Sequence, residues 1–170
     1  MMDALKEISG ILEELETFDD VLEMAIFMEE QGREFYLEKA LNTKSVETVE
    51  LYNYLAAEEA SHADLLRKCL KNIDKGKIKD NLVPDIKSER PHFKSSFSME
   101  FTNDRLGEVG VLLAALRLER KSEYFYNELS KRADNKSQHE KFDKLASVER
   151  GHYELIDGFL EDSTQFRMQT

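Results

Sequence analysis

Two short stretches of this chain repeat one pattern: residues 59–62 are Glu59-Ala60-Ser61-His62, and residues 149–152 are Glu149-Arg150-Gly151-His152. Glu149 follows Glu59 by 90 residues, and the same offset of 90 relates Glu29 to Glu119 and Tyr36 to Tyr126. One offset therefore connects two Glu, two Glu-x-x-His pairs and two Tyr. Four Glu and two His are the ligand set with which a four-helix bundle holds two metal ions in its core.

The composition favours one mostly helical domain. The chain has 170 residues with only 7 Gly and 2 Pro, enough for a single hydrophobic core. A net charge of -11 argues against nucleic-acid binding, which needs a basic surface. The single cysteine, Cys69, excludes an internal disulfide and any Cys-x-x-Cys metal site. The sequence shows neither a signal peptide nor an apolar run of about 18 residues, so we expect a cytoplasmic protein without a membrane span.

The apolar periodicity predicts an all-α fold. An amphipathic helix is expected within residues 1–18, on the outside of the bundle or on a partner chain. The bundle helices are expected over residues 20–41, 45–74, 104–133 and 137–161. Residues 75–103 contain both prolines and are predicted to form a long crossover. Two helical hairpins joined in this way give an antiparallel four-helix bundle, here with an extra N-terminal helix.

Helix starts are marked by residues that commonly cap helices. Asp19 or Asp20 is expected to cap the first bundle helix. Thr102, Asn103 or Asp104 is expected to cap the third bundle helix. Ser137 with Glu140 fits a capping box for the last helix.

One face of each bundle helix forms an inward-facing seam at alternating steps of three and four residues. The four seams are Leu22, Ala25, Glu29, Gly32 and Tyr36; Tyr52, Leu55, Glu59, His62, Leu66, Cys69 and Ile73; Leu112, Ala115, Glu119, Ser122, Tyr126 and Leu129; and Phe142, Leu145, Glu149, His152, Ile156 and Phe159. Each seam is largely apolar apart from a central layer of Glu, or of Glu with His. Counting residues from the turns, at about 1.5 Å per residue, places all four polar layers at one height.

The seams contain neither Lys nor Arg, so four buried carboxylates would repel one another and lose their hydration. Two divalent metal ions would neutralise that charge. We therefore predict a dinuclear site with the ligands Glu29, Glu59, His62, Glu119, Glu149 and His152. Mixed oxygen and nitrogen ligands suit iron or manganese better than calcium or magnesium. A duplicated bundle that has lost its metal is the alternative.

Other seam residues allow two interpretations each. Tyr36 and Tyr126 lie two turns from Glu29 and Glu119, so their hydroxyls could bond to a ligating carboxylate of the other hairpin or simply fill the core. Gly32 and Ser122 either leave room for an oxidant or allow close helix packing. For Cys69, we expect a buried structural thiol.

These residues resemble the rubrerythrin branch of the ferritin-like superfamily. The resemblance runs from about Asp20 to Glu161 and rests on residues 25–36, 59–62, 119–126 and 149–152. It implies a ferritin-like fold with a non-haem di-iron carboxylate site, in which manganese or zinc could replace iron. Rubrerythrins reduce hydrogen peroxide to water with electrons from a rubredoxin-like centre.

The chain departs from that pattern in two ways. It lacks a rubredoxin domain, so an external donor such as a rubredoxin-like protein is expected to supply the electrons. Rubrerythrins also carry a further Glu three residues after the third-helix ligand, where this chain has Ser122; Glu123 is one position away and should point elsewhere. The remaining six ligands resemble the ferroxidase centre of bacterioferritins equally well.

Three functions therefore stay open at this point. The first is a rubrerythrin-like oxidoreductase that reduces hydrogen peroxide or dioxygen in the response to oxidative stress. The second is ferroxidase-like oxidation and handling of ferrous iron. The third is a non-catalytic helical module that binds a partner through its N-terminal helix. A homodimer is the expected assembly, without a nucleic-acid or membrane partner.

Overall fold

The described part of the chain is helical. The computed structural model describes residues 8–13, 15, 17–74 and 107–168, with side chains up to residue 71 in the first long section and up to residue 161 in the second. The long helices are α1 (Phe18–Asn42), α2 (Val46–Asp74), α3 (Glu108–Arg132) and α4 (Lys136–Met168). No strand occurs among these residues. The predicted crossover over residues 75–103 lies outside the described residues.

Helix α1 begins at Phe18, two residues before the predicted start, and its N-cap is Thr17 rather than Asp19 or Asp20. The Thr17 backbone N–H donates to the Asp20 carboxylate at 2.8 Å, and the Asp20 N–H donates to Thr17 Oγ1 at 3.1 Å. Asp20 therefore closes a capping box from the third helical position. The acidic residues do mark the start of this helix, but they lie in its first turn and not at the N-cap. Acidic residues are favourable at both places, so the sequence alone does not distinguish them.

The second hairpin also differs from the prediction at its helix starts. Helix α3 begins at Glu108 with Gly107 as its N-cap, after the predicted start at residue 104; the three proposed capping residues lie outside the described residues. Helix α4 begins at Lys136, and the Gln138 N–H donates to Asn135 Oδ1 at 3.0 Å. Asn caps as well as Ser does, so Ser137 falls inside the first turn and the expected capping box with Glu140 is wrong.

Helix α4 also ends later than predicted. The expected end was residue 161, but the helix continues to Met168. Residues 162–168 contain neither Gly nor Pro, so the sequence has no strong signal that would stop the helix there.

The helices pack as two hairpins, α1 with α2 and α3 with α4, and α1 approaches α3 between the hairpins. Of the seam residues, Phe159 is only partly buried and the side chain of Ile73 lies outside the description; all the others are buried. Two apolar clusters lie on opposite sides of the Glu and His layer. One contains Leu22, Leu66, Leu129 and Leu145, and the other contains Leu55, Leu112 and Ile156. The polar layer thus crosses the middle of the bundle, as the residue count predicted.

The N-terminal segment packs on the bundle of its own chain. Residues 8–13 are helical, and Ile8 and Leu12 are buried in the first apolar cluster. Arg132 of α3 donates from Nη1 to the Leu12 carbonyl at 2.9 Å, and the Ser9 and Tyr124 hydroxyls lie 3.2 Å apart. This segment was expected either on the outside of the bundle or on a partner chain. In the structure it packs on the bundle, against α3. None of the helices among the described residues is long and apolar enough to cross a membrane.

Candidate metal centre

The structure brings the six predicted ligands together in the bundle core. Each long helix contributes one Glu, and α2 and α4 each add a His one turn further along, because a spacing of three residues places two side chains on the same helix face. None of the six residues is more than 2% exposed to solvent. They are Glu29, Glu59, His62, Glu119, Glu149 and His152.

The six side chains form two equivalent groups, one in each hairpin. Glu29, Glu59 and His62 offer ligand atoms that lie within 4.8 Å of one another, and so do Glu119, Glu149 and His152. Each group contains two carboxylates and one imidazole, as expected from the internal repeat. A metal ion with ligands at about 2.0–2.2 Å would require donor atoms at such mutual separations.

Contacts within this layer connect the two groups. His62 Nδ1 lies 3.0 Å from Glu29 Oε2 in its own hairpin and 3.8 Å from Glu149 Oε1 in the other hairpin. His152 Nδ1 lies 3.6 Å from Glu119 Oε2. The Nδ1 atoms therefore face the carboxylates, and the contact between His62 and Glu149 joins the two groups across the hairpins.

Two tyrosines cross-link the hairpins at the layer. The Tyr36 hydroxyl donates to Glu119 and the Tyr126 hydroxyl donates to Glu29, so the bonds that the sequence allowed are present. Burial raises the pKa of Tyr36 well above its ordinary value, and the nearby charge of Glu119 raises it further. Burial and the charge of Glu29 raise the pKa of Tyr126 in the same way. Both hydroxyls thus keep their protons and act as donors.

A second aromatic ring supports each tyrosine, a feature that the sequence reasoning missed. Tyr36 stacks on Tyr52 with ring centroids 6.0 Å apart, and Tyr126 stacks on Phe142 at 6.5 Å. Phe142 follows Tyr52 by 90 residues, so the offset that links the two Tyr donors also links their supporting rings and could have revealed them.

The sequence neighbours of the ligands point away from the layer. Glu30 pairs with Arg67 on the outside of the first hairpin. Glu123 lies 3.3 Å from Arg120 and 3.5 Å from Arg150, so it faces the outer surface as expected. Ser122, by contrast, is fully buried and occupies the seam position between Glu119 and Tyr126.

The donor set is chemically suited to metal binding. Four carboxylates close together in an apolar core would bind positive charges strongly, because an ionised group that is buried without a partner is unfavourable. The seams themselves provide imidazole nitrogens but no Lys or Arg. Oxygen and nitrogen donors in this proportion are typical of transition-metal sites. The two buried groups therefore suggest metal binding and fit a dinuclear centre.

Comparison with known proteins agrees with this geometry. The family model described as Rubrerythrin matches residues 20–106, just over half of the 170 residues. No curated protein and no solved structure matches the chain. The matched range contains Glu29, Glu59 and His62, and the internal repeat adds the related residues of the second hairpin. The chain belongs to the rubrerythrin family.

Proposed function

We propose that this chain is a non-haem di-iron oxidoreductase that reduces hydrogen peroxide or dioxygen with electrons from an external donor. The observation that carries the proposal is that two groups, each of two Glu and one His, meet in one buried layer. Bound iron would supply the redox chemistry by giving electrons to the oxidant. The residues of the chain would bind the metal ions, exclude water and hold the surrounding protons.

Each group is suited to hold one metal ion. Glu29, Glu59 and His62 would form one half of the centre, and Glu119, Glu149 and His152 the other half. The 3.8 Å separation between His62 Nδ1 and Glu149 Oε1 shows that the two groups meet across the hairpins. Four carboxylate charges would then balance two divalent ions in a region that water does not reach.

The two tyrosines would orient the carboxylates of Glu119 and Glu29. Tyr36 donates to Glu119 and Tyr126 donates to Glu29, so one carboxylate oxygen in each residue is engaged by a proton donor. The second oxygen of each carboxylate lies near the histidine of its own group, 3.0 Å from His62 Nδ1 for Glu29 and 3.6 Å from His152 Nδ1 for Glu119. Hydrogen bonds of this kind commonly set the direction and basicity of a ligand. Because each bond joins two hairpins, it also fixes the distance between the halves of the centre.

The proposed electron donor is a small redox protein, such as a rubredoxin-like protein. Reducing hydrogen peroxide to two water molecules consumes two electrons and two protons, and the donor would restore the electrons after each turnover. We propose a homodimer as the assembly. Sedimentation of the purified protein tests the number of chains in the assembly. The rate at which a rubredoxin reduces the oxidised protein tests the proposed donor.

Ferrous iron oxidation is the second candidate function. One observation supports it: the seam position next to Glu119 carries Ser122, a buried residue without a carboxylate. The layer then holds six ligands, as in the ferroxidase centres that the sequence resembles. Under this candidate, iron would be the substrate, dioxygen or hydrogen peroxide would accept its electrons, and the ferric iron would leave the centre after oxidation. Repeated additions of ferrous iron distinguish the two functions, because a ferroxidase oxidises many equivalents per chain.

Elemental analysis of protein purified without oxygen tests the metal site directly. We expect two equivalents of iron per chain. Glu59→Ala should lose at least one equivalent and abolish peroxide consumption by the reduced protein. The matched control is Glu58→Ala, at the sequence neighbour of Glu59. Glu58 accepts a hydrogen bond from the Tyr54 hydroxyl at 2.9 Å and is not one of the six ligands, so this variant should keep both metal ions. Retained peroxide consumption in Glu59→Ala would contradict the proposed function.

A further inference from the structure

The two halves of the proposed centre differ in the seam residue three positions after the first Glu ligand of each hairpin. The offset of 90 residues pairs identical residues at all six ligand positions and at both tyrosines, but it pairs Gly32 with Ser122. Both of these residues are buried on their seams. At this position the second hairpin therefore carries a hydroxyl group, whereas the first hairpin has no side chain.

That hydroxyl lies at the level of the ligand layer. Ser122 follows Glu119 by three residues and precedes Tyr126 by four, so all three share the inward face of α3. Tyr126 reaches across to Glu29, which places this face against the opposite hairpin. Ser122 is 0% exposed, so bulk water cannot solvate its hydroxyl.

The Ser122 hydroxyl has no hydrogen-bond partner among the described residues. Serine within a helix commonly bonds to the carbonyl four residues earlier, but this bond is not formed here. Leaving a buried hydroxyl without a partner is unfavourable, and alanine at this position would avoid the problem while favouring the helix. The position and burial of Ser122 thus point to a ligand that is external to the protein chain.

We propose that Ser122 is a positioning residue that donates a hydrogen bond to a small exogenous ligand at the metal layer. The ligand class is a molecule of two or three atoms with a lone pair, such as peroxide, dioxygen or azide. The ligand would sit on the side of Glu119, Glu149 and His152, because Gly32 has no side-chain donor on the other side. This inference rests on the proposed function, since it needs metal ions in the layer.

Azide binding to the iron-loaded ferric protein tests the proposal without measuring turnover. The dissociation constant is read from the azide-to-iron absorption band during a titration. Ser122→Ala should raise the dissociation constant roughly fivefold to tenfold, which corresponds to the loss of one hydrogen bond. Ser130→Ala is the matched control: Ser130 is a buried serine of the same helix whose hydroxyl lies 2.8 Å from His139 Nδ1. It should leave the azide dissociation constant unchanged.

The outcomes separate this inference from the function on which it rests. Two bound iron ions with an unchanged dissociation constant in Ser122→Ala would overturn the role of Ser122 and leave the metal site standing. Failure of the unaltered protein to bind two iron ions would remove both proposals. An equal change in Ser130→Ala would show that the effect is a general result of altering α3, and the role of Ser122 would fall.

Stability of the metal-free protein provides a second readout. If the hydroxyl serves an external ligand, Ser122→Ala should raise the melting temperature of the metal-free protein by about 2–4 °C, because a buried group without a partner is removed. A lower melting temperature would show that the hydroxyl makes a structural hydrogen bond, which contradicts the proposal. Ser130→Ala should lower the melting temperature, since it removes an existing bond.

Discussion

Tyr36 of the first hairpin donates a hydrogen bond to Glu119 of the second hairpin, and Tyr126 returns the same contact to Glu29. The two bonds are reciprocal, so each half of the layer supplies a donor to a carboxylate of the other. This arrangement couples the geometry of the proposed metal site to the packing of the hairpins. A shift of one hairpin would move one of its own carboxylates and also the tyrosine that donates to a carboxylate of the other hairpin.

Removing these donors should weaken metal binding more than it alters the fold. Tyr36→Phe and Tyr126→Phe keep the buried rings but leave Glu119 and Glu29 without the tyrosine proton. We expect metal affinity to fall about 10-fold to 100-fold, as is usual when a group supporting a ligand is lost. Competition with a chelator of known affinity measures the change.

Tyr54→Phe is the control for these variants. Tyr54 also donates to a carboxylate, Glu58, but at a partly exposed position outside the ligand layer. Its removal should leave metal affinity unchanged. If all three variants weakened binding equally, the reciprocal bonds would have no special role.

The core layer was predictable because two independent patterns coincide there. Helical periodicity identifies an inward face on each helix, and the offset of 90 residues selects Glu29, Glu59, Glu119 and Glu149 from the many acidic residues of the chain. Most of the other acidic residues among the described side chains lie partly or fully at the surface. Periodicity depends on backbone geometry alone, which explains why it located the layer without tertiary information.

The helix ends and the N-terminal contacts were less predictable. Thr17 and Asn135 cap their helices although nearby Asp19 and Ser137 carry similar signals, because neighbouring polar residues compete for the same orphan N–H groups. The site of the N-terminal segment depends on tertiary complementarity. Its bond from Arg132 to the Leu12 carbonyl joins residues 120 apart in the sequence, and no local pattern encodes such a pair.

Glu149→Gln should have opposite effects on the metal-free and the metal-loaded protein. Without metal, removing one of four buried carboxylate charges relieves repulsion, and we expect the free energy of unfolding to rise by about 1 kcal/mol. With metal, the variant should lose most of the stabilisation that binding provides, which is about 2.7 kcal/mol at a metal concentration of 100 times the dissociation constant. Urea titrations with and without metal measure both effects.

Glu154→Gln provides the comparison on the same helix. Its side chain is 64% exposed and lies 3.0 Å from Arg150, so neither stability should change by more than about 0.5 kcal/mol. A loss of metal-free stability in Glu149→Gln would mean that the carboxylate already has a favourable role without metal.

Leu12→Ala should destabilise the protein although it lies outside the four long helices. Leu12 is only 3% exposed and packs in the apolar cluster beside Tyr126. We expect the free energy of unfolding to fall by about 2–5 kcal/mol, the range for truncating a buried leucine. Leu41, which is 86% exposed, gives the matched control, and Leu41→Ala should change stability by about 0.5 kcal/mol or less. Equal effects in urea unfolding would show that the N-terminal segment does not pack on the bundle in solution.

Tyr52 should make the fold sensitive to alkaline pH. Burial raises the pKa of Tyr52 above its ordinary value of 10.0, and the charge of Glu108 raises it further. The unfolded chain releases the Tyr52 proton near pH 10, whereas the folded chain keeps it to higher pH. The contribution to stability is therefore fully present below about pH 10 and is lost as the pH rises towards the folded pKa, by about 1.4 kcal/mol per pH unit.

Tyr52→Phe removes this proton and should flatten the decline. Above about pH 10, the variant should lose stability less steeply than the unaltered protein, by about 1.4 kcal/mol per pH unit. Urea unfolding followed by circular dichroism at several pH values measures the slopes, with the protein free of metal so that formation of metal hydroxide does not interfere. Tyr153→Phe serves as the control, because Tyr153 is only partly buried and lies beside Arg120 at 4.4 Å. Equal slopes for the unaltered protein and Tyr52→Phe would show that the Tyr52 hydroxyl reaches solvent in the folded state.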